Sequence, residues 1–312
     1  MATSSTLFDH SPPADPGTYG IAPTGHRLPD GTRIRSVTLQ VSDLQRSREF
    51  YQRILGFHAT EVAPDRIALS DNAQGPALID LIENRGGQPL RRKALGLFHV
   101  AILLPSRAEL GRFLTHLHTE GARAGAADHF VSEALYLQDP DDLGIEVYAD
   151  RPRASWRRHG RELVLGTEPL DRSSLIDTAG HQPWRGMPTG TTIGHVHLHV
   201  GDLDEAGRFY GDGVGFDRMV WSYSGALFLA AGGYHHHLGT NIWAGAAARP
   251  AAPNDPQLLE WVLELPAAAH MEAVSANLRA LDYPSDASVD ALLTRDPWGT
   301  TLRVVPSRGQ SP

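Results

Sequence analysis

Three histidines stand at alternate positions in the stretch Thr192–Leu203, "TIGHVHLHVGDL". Strict alternation of polar and apolar residues is typical of a half-buried strand, so His195, His197 and His199 should project from one face. Imidazole is a common metal ligand, but three side chains spread along one strand cannot all reach the same ion. A metal at this face therefore needs ligands from other strands.

An internal repeat indicates which other strands these are. The stretch "VSDLQRSREFYQRILGF" (Val41–Phe57) returns as "VGDLDEAGRFYGDGVGF" (Val200–Phe216), offset by 159 residues. In both copies a strand ends at an aspartate, Asp43 or Asp202, that can cap an amphipathic helix. The repeat predicts at least two copies of one strand–helix unit.

A fainter repeat predicts two more units. "FHVAILLP" (Phe98–Pro105) and "LEWVLELP" (Leu259–Pro266) are read as strands that precede helices, and an Asp-Pro turn later introduces the last strand of each unit. The sequence therefore predicts an α+β fold of four βαβββ modules, paired into two half-barrel domains. The modules span about residues 33–84, 96–150, 192–245 and 257–306.

The modules give the chain a simple layout. Residues 1–30 are expected to form a tail or surface arm, 31–150 a first region of modules one and two, and 192–308 a second region of modules three and four. Residues 151–191 are a long linker. A linker of this length usually covers a functional site or joins domains.

Aligning the repeats assigns three ligand-type residues to one site. Modules two and three supply His99, Glu146 and His195, each on a strand. The matching positions of modules one and four hold Ser36, Glu260 and Arg303, which form no metal-binding set. Modules two and three must therefore pair with each other, because pairing one with two and three with four would split the ligand set.

Two histidines and one carboxylate form the facial triad that suits Fe(II), with positions left open for substrate and oxygen. Mn(II) tolerates the same ligands. The chain has no cysteine, so thiolate ligands and disulfides are excluded. The net charge of −8 gives no indication of nucleic-acid binding. No signal peptide or membrane span is recognised at the start or elsewhere, and a cytoplasmic location is expected.

These stretches, with "GALFLAAGGYHHHLGTNIWAG" and "SEALYLQDPDDLGIEVYADRPR", resemble the vicinal oxygen chelate superfamily, and within it the catechol 2,3-dioxygenase-like branch. The resemblance covers about residues 30–308. It implies an extradiol ring-cleavage dioxygenase that acts on a small aromatic diol with O2, with His99, His195 and Glu146 as metal ligands.

The resemblance also implies further site residues. His237 matches the acid/base histidine, with His236 as the competing register, and Tyr136 and His129 match residues that act on substrate or oxygen. Substrate-binding positions are expected at His197, His199, His236, Asn241 and Trp243. His235 is expected to be exposed or structural.

Two other functions stay open on the same fold. A glyoxalase-like or thiol-transferase-like enzyme would use a non-redox metal and usually a fourth protein ligand, often an acid. Residues 235–244 contain no acid, which favours the dioxygenase. A metal-free binding or resistance protein would not need the ligand set. The sequence is compatible with a homo-oligomer and leaves the particular catechol open.

Overall fold

A computed structural model of the chain describes residues 18–87 and 94–307. Residues 1–17 of the expected tail and residue 308 lie outside this part. The described tail is an arm on the protein surface: the Tyr19 hydroxyl donates to the Gly233 carbonyl at 2.5 Å, and Ile21 forms a β-bridge with Arg218.

Modules one and two each contain a strand, a helix and three further strands. Module one consists of β1 (Arg33–Val41), α1 (Leu44–Arg53), β2 (His58–Ala63), β3 (Arg66–Ser70) and β4 (Ile79–Glu83). Module two consists of β5 (Ala94–Leu103), α2 (Arg107–Thr119), β6 (Gly125–Asp128), β7 (Ser132–Gln138) and β8 (Gly144–Asp150). Asp43 caps α1 by accepting from the Arg46 amide at 3.0 Å, as its position in the repeat predicts.

The linker and the other two modules follow. The linker carries a 3₁₀ turn (Arg153–Ser155), β9 (Arg158–His159), β10 (Glu162–Leu163) and α3 (Arg172–Ala179). Module three consists of β11 (Thr192–His199), α4 (Leu203–Ala206) continued by a π-helical segment (Gly207–Val214), β12 (Asp217–Val220), β13 (Ala226–Ala230) and β14 (Leu238–Asn241), and β15 (Arg249–Pro250) follows it. Module four consists of β16 (Gln257–Leu265), α5 (Ala268–Ala280), β17 (Ser285–Ala287), β18 (Leu292–Arg295) and β19 (Thr301–Pro306).

The first strands of the modules determine which modules pair. β5 runs antiparallel to β11, which joins modules two and three, and β1 runs antiparallel to β16, which joins modules one and four. Each of these strands also has the last strand of its own module as a parallel neighbour. The α+β class is confirmed, and the pairing of two with three is the one that the ligand set requires.

Modules that follow one another along the chain are linked differently, through buried tyrosine–aspartate pairs. The Tyr51 hydroxyl of module one donates to Asp139 of module two at 3.3 Å. Its repeat partner Tyr210 donates to Asp296 of module four at 2.9 Å. Both aspartates begin the Asp-Pro turns that the sequence indicates, so these turns connect modules that the sheets do not pair.

β11 is buried on both faces. Val196 and Leu198 point into the apolar core and are fully buried, while His195 and His197 occupy the opposite face. Such a strand is positioned by packing on one side, which leaves its polar side available for a site. Within the described ranges, no helix is long and apolar enough to cross a membrane.

Candidate metal centre and substrate pocket

Strand register brings the predicted ligands together. His195 on β11 lies opposite Ala101 on β5, and Ala101 lies beside Glu146 on β8. His99 is two residues before Ala101, so its side chain leaves β5 on the same face. Ala101, whose side chain is a single methyl group, thus lies between His195 and Glu146 in the strand register.

The three side chains meet at their tips. His99 Nε2 lies 3.0 Å from Glu146 Oε2 and 3.3 Å from His195 Nε2, and His195 Nε2 lies 3.2 Å from the same carboxylate oxygen. Ligand atoms about 2.1 Å from one ion, in adjacent octahedral positions, are about 3.0 Å apart. The donor set and its spacing therefore fit a divalent ion.

Electrostatics at this centre also suit a cation. Burial by itself would raise the pKa of Glu146, but the two imidazoles hold it well below its usual value. Burial lowers the pKa of His195 to about 4, so its imidazole is neutral at physiological pH. The carboxylate oxygen and the two imidazole nitrogens place lone pairs where a metal ligand set requires them.

The equivalent place between modules one and four is closed by an ion pair. Glu260 on β16 corresponds to His99 on β5, because Thr38 faces Glu260 as His197 faces His99. Arg303 on β19 corresponds to Glu146 on β8, because Arg303 lies beside Val262 as Glu146 lies beside Ala101. The Arg303 guanidinium donates to Glu260 at 2.8 Å. The register confirms the alignment of the repeats, and this second position holds a salt bridge in place of a ligand set.

A cavity of about 420 Å³ opens beside His99, Glu146 and His195. Its walls are mainly aromatic and apolar, and they include Phe98, Leu165, Tyr223, Phe228 and Trp243. Phe98 and Trp243 are partly exposed and meet edge to face, with ring centroids 5.6 Å apart. A cavity of about 150 Å³ suffices for benzene, so this pocket can hold a substituted aromatic ring.

His236, rather than His237, faces this pocket. The His236 ring lines the cavity and lies 4.1 Å from the His195 ring, centroid to centroid. His237 lies in a smaller cavity near Arg153, where its Nδ1 accepts from the Ala231 amide at 3.2 Å. Of the two registers that the sequence left open, the one that places His236 in the pocket is therefore the one the cavity favours: successive residues entering β14 project to opposite sides, and three histidines in a row give no alternation to reveal which side is which.

The other expected substrate contacts are divided between the pocket and the layer behind it. His197 and Trp243 line the cavity, whereas His199 and Asn241 do not. Asn241 is fully buried and links the two histidines: its amide donates to His197 Nε2 at 2.9 Å, and its carbonyl lies 2.6 Å from His199 Nδ1. Asn241 therefore orients His197.

Tyr136 and His129 form a hydrogen-bonded pair on the opposite wall. His129 Nδ1 lies 2.6 Å from the Gly166 carbonyl, and its Nε2 lies 2.5 Å from the Tyr136 hydroxyl. A carbonyl only accepts, so His129 donates from Nδ1 and its Nε2 is left to pair with the Tyr136 hydroxyl. Burial and the charge of Glu146 raise the pKa of Tyr136 well above its ordinary value.

Some pocket residues were missed by the sequence reasoning. Leu165, Gly166 and Thr167 bring the linker into the wall, where the Thr167 hydroxyl lies 3.0 Å from that of Tyr223. In the sequence, the length of the linker indicated that it could cover a functional site. His235, expected to be exposed or structural, is fully buried beneath His236.

Comparison with known proteins places this architecture in a family. The sequence model of the Glyoxalase/Bleomycin resistance protein/Dioxygenase superfamily matches residues 33–147. A catechol-2,3-dioxygenase of Bacillus subtilis (strain 168) is 41% identical over 272 residues, which cover 86% of this chain and 95% of that protein. The chain belongs to this superfamily. The family resemblance that the sequence indicates is thus confirmed.

Solved structures support the same fold. A structure from Bacillus subtilis strain 168, named only provisionally as a dioxygenase, aligns with a TM-score of 0.59 at 12% identity and covers 91% of this chain and 87% of its own. Glyoxalase I from Zea mays aligns with a TM-score of 0.51 at 15% identity, over 88% and 92% of the two chains. At these identities the likeness concerns the superfamily fold.

Proposed function

We propose that the chain is a metal-dependent extradiol dioxygenase, which opens the ring of a catechol-type substrate with O2 at a bond beside the two hydroxyls. The observation that carries the proposal is the convergence of His99, His195 and Glu146 at one end of an aromatic-lined cavity. The 41% identical relative, named a catechol-2,3-dioxygenase, supports it.

Fe(II) is the proposed metal, with Mn(II) as the alternative. Bound by the two imidazoles and the carboxylate, either ion would supply Lewis acidity and a path for electrons between catecholate and oxygen. A glyoxalase-like function is less well supported, because no further histidine or acid within residues 18–87 and 94–307 joins the ligand group.

His236 is the proposed acid/base residue. Its ring is beside the His195 ring and faces the cavity, and burial lowers its pKa well below the usual value, so it enters the reaction as a neutral base. It takes a proton from a catechol hydroxyl and returns it later in the reaction. His237 has no role in this scheme, because it lies in a different cavity.

Tyr136 is proposed to position the substrate. Its hydroxyl lines the cavity near Glu146 and 2.5 Å from His129 Nε2, where its oxygen can accept from a catechol hydroxyl. The Gly166 carbonyl of the linker fixes the His129 ring that holds this arrangement. The aromatic rings at the mouth favour an apolar substituent on the catechol and keep water from the reacting atoms.

The test is anaerobic loading with Fe(II) or Mn(II), followed by catechols with and without an apolar 4-substituent and then oxygen. We expect a yellow ring-opened product, one O2 consumed per ring, and both atoms of ¹⁸O2 in the product. Glu146→Gln should abolish the reaction, whereas the same substitution at Glu260, the counterpart of His99 between modules one and four, should not. Absence of product from all catechols with both metals, with lactoylglutathione formed from its hemithioacetal, would refute the proposal.

A further inference from the structure

A chain of hydrogen bonds leads from the pocket into the protein through two adjacent histidines. His236 Nδ1 lies 2.8 Å from His235 Nδ1, and His235 Nε2 lies 2.8 Å from Asp150 Oδ1. The His235 side chain is fully buried, and that of Asp150 is 27% exposed. None of these contacts belongs to the metal ligands.

Counting protons along this chain assigns a tautomer to each ring. An ionised carboxylate only accepts, so His235 donates to Asp150 from Nε2. With Nε2 carrying the single N–H of the His235 ring, its Nδ1 accepts from His236 Nδ1. The remaining nitrogen of His236, Nε2, is then unprotonated and is the basic atom of the ring that lines the pocket.

Packing keeps His235 in this orientation. The Tyr234 ring lies 4.0 Å from the His235 ring, centroid to centroid, and the Trp156 ring lies edge-on at 5.3 Å. The Tyr234 hydroxyl also donates to Asp150 Oδ1 at 3.3 Å. A 180° flip of the His235 ring would put ring carbons in the places of its nitrogens and lose both hydrogen bonds, so its two nitrogens keep their partners.

Strand geometry explains why Asp150 is in place for this role. It lies four residues after Glu146 on β8, so both side chains are on one face of the strand, with Tyr148 between them. The Tyr148 hydroxyl lies 2.7 Å from that of Tyr234, and the hydroxyl occupies the space that a Cβ at Gly194 would need, 1.8 Å away. The absence of a side chain at Gly194, next to His195, makes room for this network.

We propose that Asp150 is a positioning residue that acts through His235 to hold His236 as the Nδ1–H tautomer, with the lone pair of Nε2 directed to the substrate. Its part in the reaction rests on the proposed function. The tautomer itself does not, since it follows from hydrogen bonds that exist without substrate. A His236 that carried its proton on Nε2 could not accept a proton from catechol at that atom.

The first test measures the tautomers directly, on the isolated full chain loaded with Zn(II) as a diamagnetic occupant. Long-range ¹H–¹⁵N correlation with ¹⁵N-labelled histidine distinguishes protonated from unprotonated ring nitrogens, and His236→Gln identifies the His236 signals. We expect Nδ1 to be protonated and Nε2 unprotonated. A wild-type His236 with its proton on Nε2 would overturn the proposal.

Two variants then separate tautomer control from packing. Asp150→Leu removes the acceptor of the His235 N–H, so the bias is lost and the second tautomer of His236 becomes populated. Tyr234→Phe, the matched control, removes a hydrogen bond to the same carboxylate oxygen but leaves the His235–Asp150 contact, and the wild-type tautomer should persist. An unchanged tautomer in Asp150→Leu, or the same change in both variants, would contradict the proposal.

Activity supplies an independent readout. In Asp150→Leu, kcat should fall in proportion to the fraction of His236 that has lost its unprotonated Nε2, about twofold or more, with KM unchanged. A fall in kcat without a change of tautomer would contradict the proposal. If no catechol is cleaved while the tautomers are as expected, the proposed function fails and the tautomer assignment stands.

Discussion

Replacing Asp139 with asparagine should change how the stability of the protein depends on pH. Asp139 is 4% exposed; its Oδ1 accepts from the amides of Asp141 and Leu143 at 2.8 and 2.9 Å, and its Oδ2 accepts from Tyr51. Burial raises its pKa to about 7. The neighbouring Asp141 forms an ion pair with Arg46.

The sign of the effect follows from proton linkage. The folded-state pKa of Asp139 lies above the value of 3.8 expected for the unfolded chain, so the folded state binds the proton more tightly. Its protonation therefore stabilises the fold at low pH, and this contribution is lost as the pH rises from about 4 to about 7. At about 1.4 kcal/mol per pH unit, the loss is about 4 kcal/mol.

Asparagine preserves the local hydrogen bonds while removing the titration. Its carbonyl can accept from the same two amides, and its amino group can donate to the Tyr51 oxygen. The free energy of unfolding of Asp139→Asn, relative to that of the wild type, should therefore rise by about 4 kcal/mol between pH 4 and pH 7.5 and stay level above it.

Urea denaturation at several pH values, with chelator present so that metal binding does not contribute, measures this difference. Asp296→Asn is the matched variant at the other Asp-Pro turn, and because burial also raises the pKa of Asp296, its effect should have the same sign. A difference in unfolding free energy that stays constant with pH, or falls as pH rises, would refute the reasoning.

Three further predictions concern the site. Ala101→Leu should fill the space between the ligands and weaken metal binding at least tenfold by calorimetry, whereas Val262→Leu, its counterpart between modules one and four, should leave the metal affinity within about twofold. Asn241→Ala leaves one nitrogen of His197 and one of His199 without a hydrogen-bond partner, and the free energy of unfolding measured in urea should fall by about 2–4 kcal/mol. A fall of less than about 0.5 kcal/mol would contradict the proposal that Asn241 holds the two rings. His236→Gln should lower kcat about 10²- to 10⁴-fold, and His237→Gln less than about threefold; the reverse order would return the acid/base role to His237.

The fold and the clustering of His99, Glu146 and His195 could be predicted from the sequence because repeats carry spatial information. The constant offset between two copies of a module aligns each residue of a strand with one residue of the other copy. His195 could therefore be distinguished from His197 and His199, although all three lie on the same face of one strand. The pairing of β5 with β11 was then required by the chemistry of the ligands, and the structure has that pairing.

The rest of the pocket depends on information that periodicity does not hold. The run His235–His237 has no polar–apolar alternation, so the side of β14 that each ring takes is set by neighbours such as Phe216 and Tyr234, which pack against His237. The part of the pocket wall that the linker forms, residues 165–167, depends on where a segment without regular secondary structure packs. Asp150 could have been found, since it shares the strand face of Glu146, but its partner His235 lies 85 residues away in sequence.

The central claim is that modules two and three hold one catalytic metal. Anomalous diffraction at the iron edge, from crystals of protein loaded anaerobically with Fe(II), tests it most directly. We expect a single strong peak per chain within bonding distance of His99 Nε2, His195 Nε2 and Glu146 Oε2, and no such peak in Glu146→Gln. A peak elsewhere, or an undiminished peak in the variant, would contradict it.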